Sequence, residues 1–179
     1  ESEIAYDHSL RLSRSVGDLR GEAISLHNLG ILQFDRAQHE RARELHEQYH
    51  ARSLRIGNWM AESYAPIYLG LIAADLGDDA AAEEDLRQAW VAAERHGWPR
   101  LAALARAMRG VGQVLMGVRY GDSSLVRSGG RTILDHAASW SGLDDIGELY
   151  AVAAVASALS GDRGEAAEVP ARCSAALHP

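Results

Sequence analysis

Residues 28–48 read NLGILQFDRAQHERARELHEQ, and residues 68–86 read YLGLIAADLGDDAAAEEDL. Laid over one another at an offset of 40, Leu29-Gly30 falls on Leu69-Gly70 and Ala42 falls on Ala82. The same step reaches Gly110, again after an apolar helical stretch, ALARAMRGVGQVL. A series of turn signals runs AQ at 37, GD at 77, GD at 121 and GD at 161, with intervals of 40, 44 and 40. A second series, GD at 17, GN at 57, GW at 97 and SG at 141, interleaves with it about every 20 residues. Glycine ends a helix without a Cβ penalty, and Asp or Asn begins the next as N-cap. Self-similarity at a fixed period is the signature of a helical repeat array.

Between these marks the pattern is helical. Ala42, Leu45, Tyr49 and Ile56 share one helix face, as do Ala82, Leu86, Ala89 and Trp90 forty residues on. No segment alternates in a way that would make a strand. The pattern predicts one all-α domain over 1–179, an α-α superhelix of about nine antiparallel helices. A leading half-repeat covers 1–16, and helix pairs cover about 18–56, 58–96, 98–140 and 143–178. The four extra residues of the third unit fall near GVRYG and read as one added helical turn. Pro66 lies inside a predicted helix and should kink it. The two glycines of RSGGR at 127–131 mark a weak or kinked helix, where another subunit would pack. Pro170 interrupts the short last helix, as befits a terminal unit.

Composition excludes several classes of function. The chain has 18 basic residues, all Arg, so a P-loop, a kinase lysine and Schiff-base chemistry are absent. A net charge of -7 argues against a phosphate-backbone binder. One cysteine, Cys173, excludes an internal disulfide framework and a cysteine-based zinc site. No apolar run approaches the length of a membrane span, and no signal peptide is visible. The expectation is a cytoplasmic protein with no membrane and no direct nucleic-acid contact. Arg in place of Lys, with abundant Ala and Gly, reads as the codon bias of a GC-rich bacterial genome. The chain begins at Glu1 and is read as a segment of a larger protein.

The stretches quoted first resemble the tetratricopeptide repeat (TPR). The 40-residue spacing, the GD turns and the phrase ERARELHEQ look most like the variety found in bacterial signalling ATPases and LuxR-type transcription regulators. The resemblance is good over residues 1–115 and weak over 116–179. It implies a non-catalytic solenoid that binds a protein or peptide, or a small-molecule effector, within a sensory or scaffolding segment of a regulator. A homo-oligomerisation module, possible as a homodimer, is the alternative, with the fourth unit as its interface.

The motif HEQYH at 46–50 has the spacing of a zinc hydrolase helix, a third and remote reading. The offset equates His46 with Leu86 and His50 with Trp90, both large apolar positions. The resemblance places His46 over the small Gly30. An extended zinc motif would want Gly at 53 and His at 56, where the chain has Ser53 and Ile56. Glu62, the nearest downstream acid, would lie about two helical turns away along the axis. HEQYH is therefore read as core helix, with no metal, no cofactor and no catalytic residue. The resemblance implies instead that the first helix of each pair lines a concave groove. With the three glycines as anchors, the groove candidates are Ile24, His27, Ile31, Phe34, Tyr64, Ile67, Leu71, Leu104 and Val111. This mostly apolar set suits an amphipathic helix or hydrophobic peptide. Trp59 and Trp98, just past the turns, and Trp140 read as staples between helices.

Overall fold

About every twenty residues the backbone turns left-handed. Gly17, Gly57, Gly77, Gly97, Gly121 and Gly161 have φ between 67° and 86°, and Ala37 has φ 56°. These are the turn positions of both sequence series that fall within the described residues. The computed structural model describes residues 2–137 and 146–161. Among them, eight helices form: α1 Ser2–Val16, α2 Leu19–Asp35, α3 His39–Arg55, α4 Ala61–Leu76, α5 Asp79–Arg95, α6 Pro99–Tyr120, α7 Ser123–Ala137 and α8 Ile146–Leu159. The turn at 141, Trp140, the ninth helix with Pro170, and Cys173 lie outside the described residues. No strand occurs among the described residues, and no helix is long and apolar enough to cross a membrane. The architecture is an all-α stack of antiparallel helix pairs.

Caps explain where the helices start. Asp18 accepts from the Gly21 amide at 2.9 Å, and Asp78 accepts from that of Ala81 at 3.2 Å. Asp122 accepts from Ser124 and Leu125. Each satisfies a donor with no partner inside its own helix. Asn58 does not cap α4, because Trp59 and Met60 intervene before the helix begins at Ala61. Pro66 lies within α4, which runs on past it to Leu76.

Close approach at glycine holds each pair together. A Cβ on Gly30 would lie 2.7 Å from His46 Nε2, and one on Gly70 would lie 2.6 Å from Leu86 Cγ. In α6 and α7 the register shifts: Val126, the position equivalent to Leu86, meets Gly117, and Gly110 meets Ile133 and the Gly129 carbonyl. The reason is the added turn, which lies within α6 itself, 22 residues long against 16 for α4. Arg119, in that turn, donates to the carbonyls of Ala74 and Asp75 at the C-terminal end of α4 and pairs with Asp79 of α5. A cation there also suits the helix dipole.

The glycines of RSGGR need neither a kink nor a second subunit. Gly129 packs on α6 at Gly110 and Val114, while a Cβ on Gly130 would lie 2.9 Å from the Ala156 methyl of α8. They let α7 fit between two neighbours of the same chain. At the other end, Glu22 is buried in α2 and pairs with Arg14 of α1 at 3.0 Å and Arg52 of α3 at 3.4 Å. One carboxylate thus ties the leading helix to the first pair.

Candidate functional site

The face of α2 repeats at helical spacing through Ile24, His27, Ile31 and Phe34. His27 sits at the centre of a ring cluster. Its centroid lies 4.6 Å from Tyr49, 5.8 Å from His46, 5.9 Å from Tyr64 and 5.7 Å from Tyr68. His46 stacks flat on Tyr68 at 4.5 Å, and Phe34 meets Tyr68 edge-on at 6.1 Å. Aromatic bulk from α2, α3 and α4 therefore fills the space between the first helices of the first two pairs. Between α4 and α6 the fully buried core is aliphatic: Ile67, Leu71, Leu101, Leu104 and Ala105 form one cluster with Leu86 and Ala89, and the half-buried rings of Tyr64, Trp90 and Trp98 pack against its edge.

That difference decides which sequence candidates reach the surface. Ile24 is 54% exposed, whereas Ile67, Leu71 and Leu104 are 1%, 6% and 4% exposed. These three are core and present no surface to a ligand, which corrects their place in the groove set. Tyr64, His27, Ile31, Phe34 and Val111 are half-buried. Positions one repeat apart do not share an environment: Ile24, Tyr64 and Leu104 pass from open to enclosed along the stack. The first-helix face is open at α2 and closed where α4 and α6 meet.

At the open end lies a cavity of about 400 Å³, lined by Arg20, Ala23, Ile24, His27, Tyr49, Ile56, Gly57 and Asn58. Two of the predicted residues, Ile24 and His27, meet there. Arg20, Tyr49 and Asn58 were not among the sequence candidates, because their part in the cavity depends on how α2 lies beside the α3–α4 turn. Nδ1 of His27 is buried without a hydrogen-bond partner. Burial pulls the His27 pKa down to about 4. His46 is 0% exposed with neither ring nitrogen partnered, and burial, aided by His27, pulls it down to about 3. Burial pushes the Tyr49 phenol up to about 12.

The HEQYH helix does not gather metal ligands. His46 packs on Gly30 and Tyr68, while His50 lines a groove of α3, α4 and α5 with Leu54, Glu62 and Pro66. His50 is only half-buried there, less enclosed than its place in the pattern implied. The Glu62 carboxylate accepts from Arg95 and lies 3.1 Å from Nε2 of His96. Among the described residues no group of three His, Cys, Asp or Glu could hold a metal ion. Added zinc should leave the melting temperature unchanged. A zinc-dependent rise that disappears in both His46→Ala and His50→Ala would show that the two rings do converge on a metal.

Trp59 and Trp98 do staple helices, Trp59 within the second pair and Trp98 between it and the third. Both stack against His96, with centroids at 6.3 and 4.7 Å and planes tilted 20° in each case. Comparison with protein-family models, curated proteins and solved structures finds no match to this chain. The fold defines its class as an all-α helical-repeat protein.

Proposed function

We propose that the chain is a non-catalytic binding domain of the tetratricopeptide kind, serving as a sensory or scaffolding segment of a cytoplasmic bacterial regulator. Its open first-helix face receives a hydrophobic peptide, a protein segment or a small effector. The observation that carries this reading is the graded exposure of equivalent first-helix positions, which leaves Ile24 open beside a cavity while Leu104 is enclosed. Paired helices that meet through Gly30 and Gly70 also support the resemblance seen in the sequence. The association with signalling ATPases and transcription regulators rests on that resemblance.

Selection of peptides on the wild-type chain, followed by binding to variants, tests the reading. Ile24→Asp should abolish binding and leave the far-ultraviolet helix signal unchanged, because the side chain is half in water. Ile67→Asp should instead unfold the protein, since an unpaired charge would be forced into the α4–α6 core. Peptides that bind Ile24→Asp as well as wild type would place the binding face elsewhere.

Homo-oligomerisation is a second reading. Ile4, Leu12 and Val16 on α1 are exposed, an apolar surface that a second copy would cover. A particle size that falls on Ile4→Glu and Val16→Glu substitution would favour it.

A further inference from the structure

In the stack α1 takes the place of a second helix. Shifted by 40 residues, its span 2–16 falls on 42–56 and 82–96, the frames of α3 and α5. The left-handed glycine that follows is the same in all three, Gly17, Gly57 and Gly97. So is the side turned to the following helix, where Ser13, Ser53 and Ala93 are buried. The other side differs. α3 is closed there by α2 and α5 by α4, whereas α1 has no such helix among the described residues.

That open side has the make-up of a helix contact. Ser2, Ala5, Ser9, Leu12 and Val16 are exposed and follow one another at three- and four-residue steps, which puts them on one stripe. The counterparts of Ser2 and Ser9, namely Ala42, Ala82, Tyr49 and Ala89, are all buried. Tyr6, half-buried beside the stripe, falls on His46 and Leu86, the side chains that fill the space over Gly30 and Gly70. A helix that ends a repeat stack turns a polar face to water. Leu12 and Val16, 55% and 69% exposed, do not make such a face.

We propose that this stripe docks one more α-helix, the first helix of α1's own pair, supplied by the chain N-terminal to α1 and carrying glycine where it crosses Tyr6. The contact continues the α2–α3 and α4–α5 interfaces by one step, and a tight turn like those at Ala37 and Gly77 joins the two helices. Gly30 and Gly70 each lie sixteen residues before the side chain that covers them, His46 and Leu86, which fixes the place of the new glycine. A second copy of the chain has no matching surface to offer. Among the described residues Gly30, Gly70, Gly110 and Gly117 are already closed by His46, Leu86, Ile133 and Val126. The site is independent of what the face of α2 binds.

Placing a copy of residues 19–40 directly before Glu1 tests the site, because it sets the copied glycine sixteen residues before Tyr6. Amide hydrogen exchange within α1 should slow at least roughly tenfold. Changing the copied glycine to leucine should remove the gain, although leucine is the better helix former. Ala5→Arg should remove it too, and in the unextended chain should leave exchange in α1 as it was, since Ala5 is exposed. No slowing, or equal slowing with leucine in place of the copied glycine, overturns the proposal. An unextended chain that sediments as a dimer, and as a monomer with Ala5→Arg, also overturns it and gives the stripe to a second copy. The source of the helix is read from the gene. The codon sixteen before that of Tyr6 should specify glycine within a helical apolar pattern, and proline or a bulky side chain there overturns the assignment to the upstream chain.

Discussion

Lowering the pH from 7.5 to 5 should cost the fold about 4 kcal/mol, close to 2 kcal/mol for each of His27 and His46. Both imidazoles are held neutral by burial, with folded pKa values pulled down to about 4 and about 3. In the unfolded chain each titrates near 6.5. Below that value the unfolded state binds protons that the folded state refuses, so stability falls as the pH drops. It is complete at pH 7.5, declines through 6.5, and goes on declining until the pH reaches the folded values. At pH 5 both rings are still neutral in the fold, so their mutual repulsion does not yet enter. Burial also lowers His50 and His136, which adds to the loss in the same direction. Asp85, whose carboxyl burial pushes up, acts in the opposite direction only as carboxylates begin to protonate.

Urea unfolding at the two pH values measures the effect. His46→Leu places in α3 the residue that its sister helix carries at Leu86 over Gly70. This variant should halve the difference between the two pH values. It should also be no less stable than wild type at pH 7.5, since it removes two buried nitrogens without partners. An identical pH dependence in wild type and His46→Leu would show that the ring is not buried in solution.

Gly110→Ala should destabilise the protein by about 3 kcal/mol, although alanine is the better helix former by about 1 kcal/mol. The added Cβ would lie 2.7 Å from the Gly129 carbonyl oxygen and 2.8 Å from Ile133 Cγ1. A backbone atom cannot step aside, so α6 and α7 must part. Ile133→Ala in the same chain should therefore give no rescue. Gly30→Ala makes a useful contrast, because all its close neighbours belong to the His46 ring. In a His46→Ala background the same change at Gly30 should cost little. Thermal unfolding of the two double variants separates the cases. A Gly110→Ala protein as stable as wild type would mean that the helices do not touch there.

Much of the fold was legible because helices and turns are local. The 20-residue punctuation located the left-handed turns, including Ala37, where glycine is replaced but the neighbouring pattern persists. The four-residue surplus near GVRYG became the added turn of α6. The resemblance to the tetratricopeptide pattern placed His46 over Gly30, and the two do meet. The candidate site was only partly legible. Ile24 and His27 were found through their register on α2. The same register on α4 and α6 led to Ile67, Leu71 and Leu104, which are core.

By itself, then, the sequence determined the helices, their turns, the antiparallel pairing and the glycine contacts within pairs. Each depends on backbone propensity or on partners at a fixed spacing along the chain. Tertiary structure alone decided which first-helix positions stay open, which residues line the cavity beside Ile24, and that Trp59 and Trp98 stack on His96. These depend on the distance between helices, which the bulk of side chains from several segments sets together. Rings from α2, α3 and α4 fill the first gap between first helices, whereas the next has a buried aliphatic core with rings only at its edge. A 40-residue repeat in sequence therefore yields a surface that does not repeat.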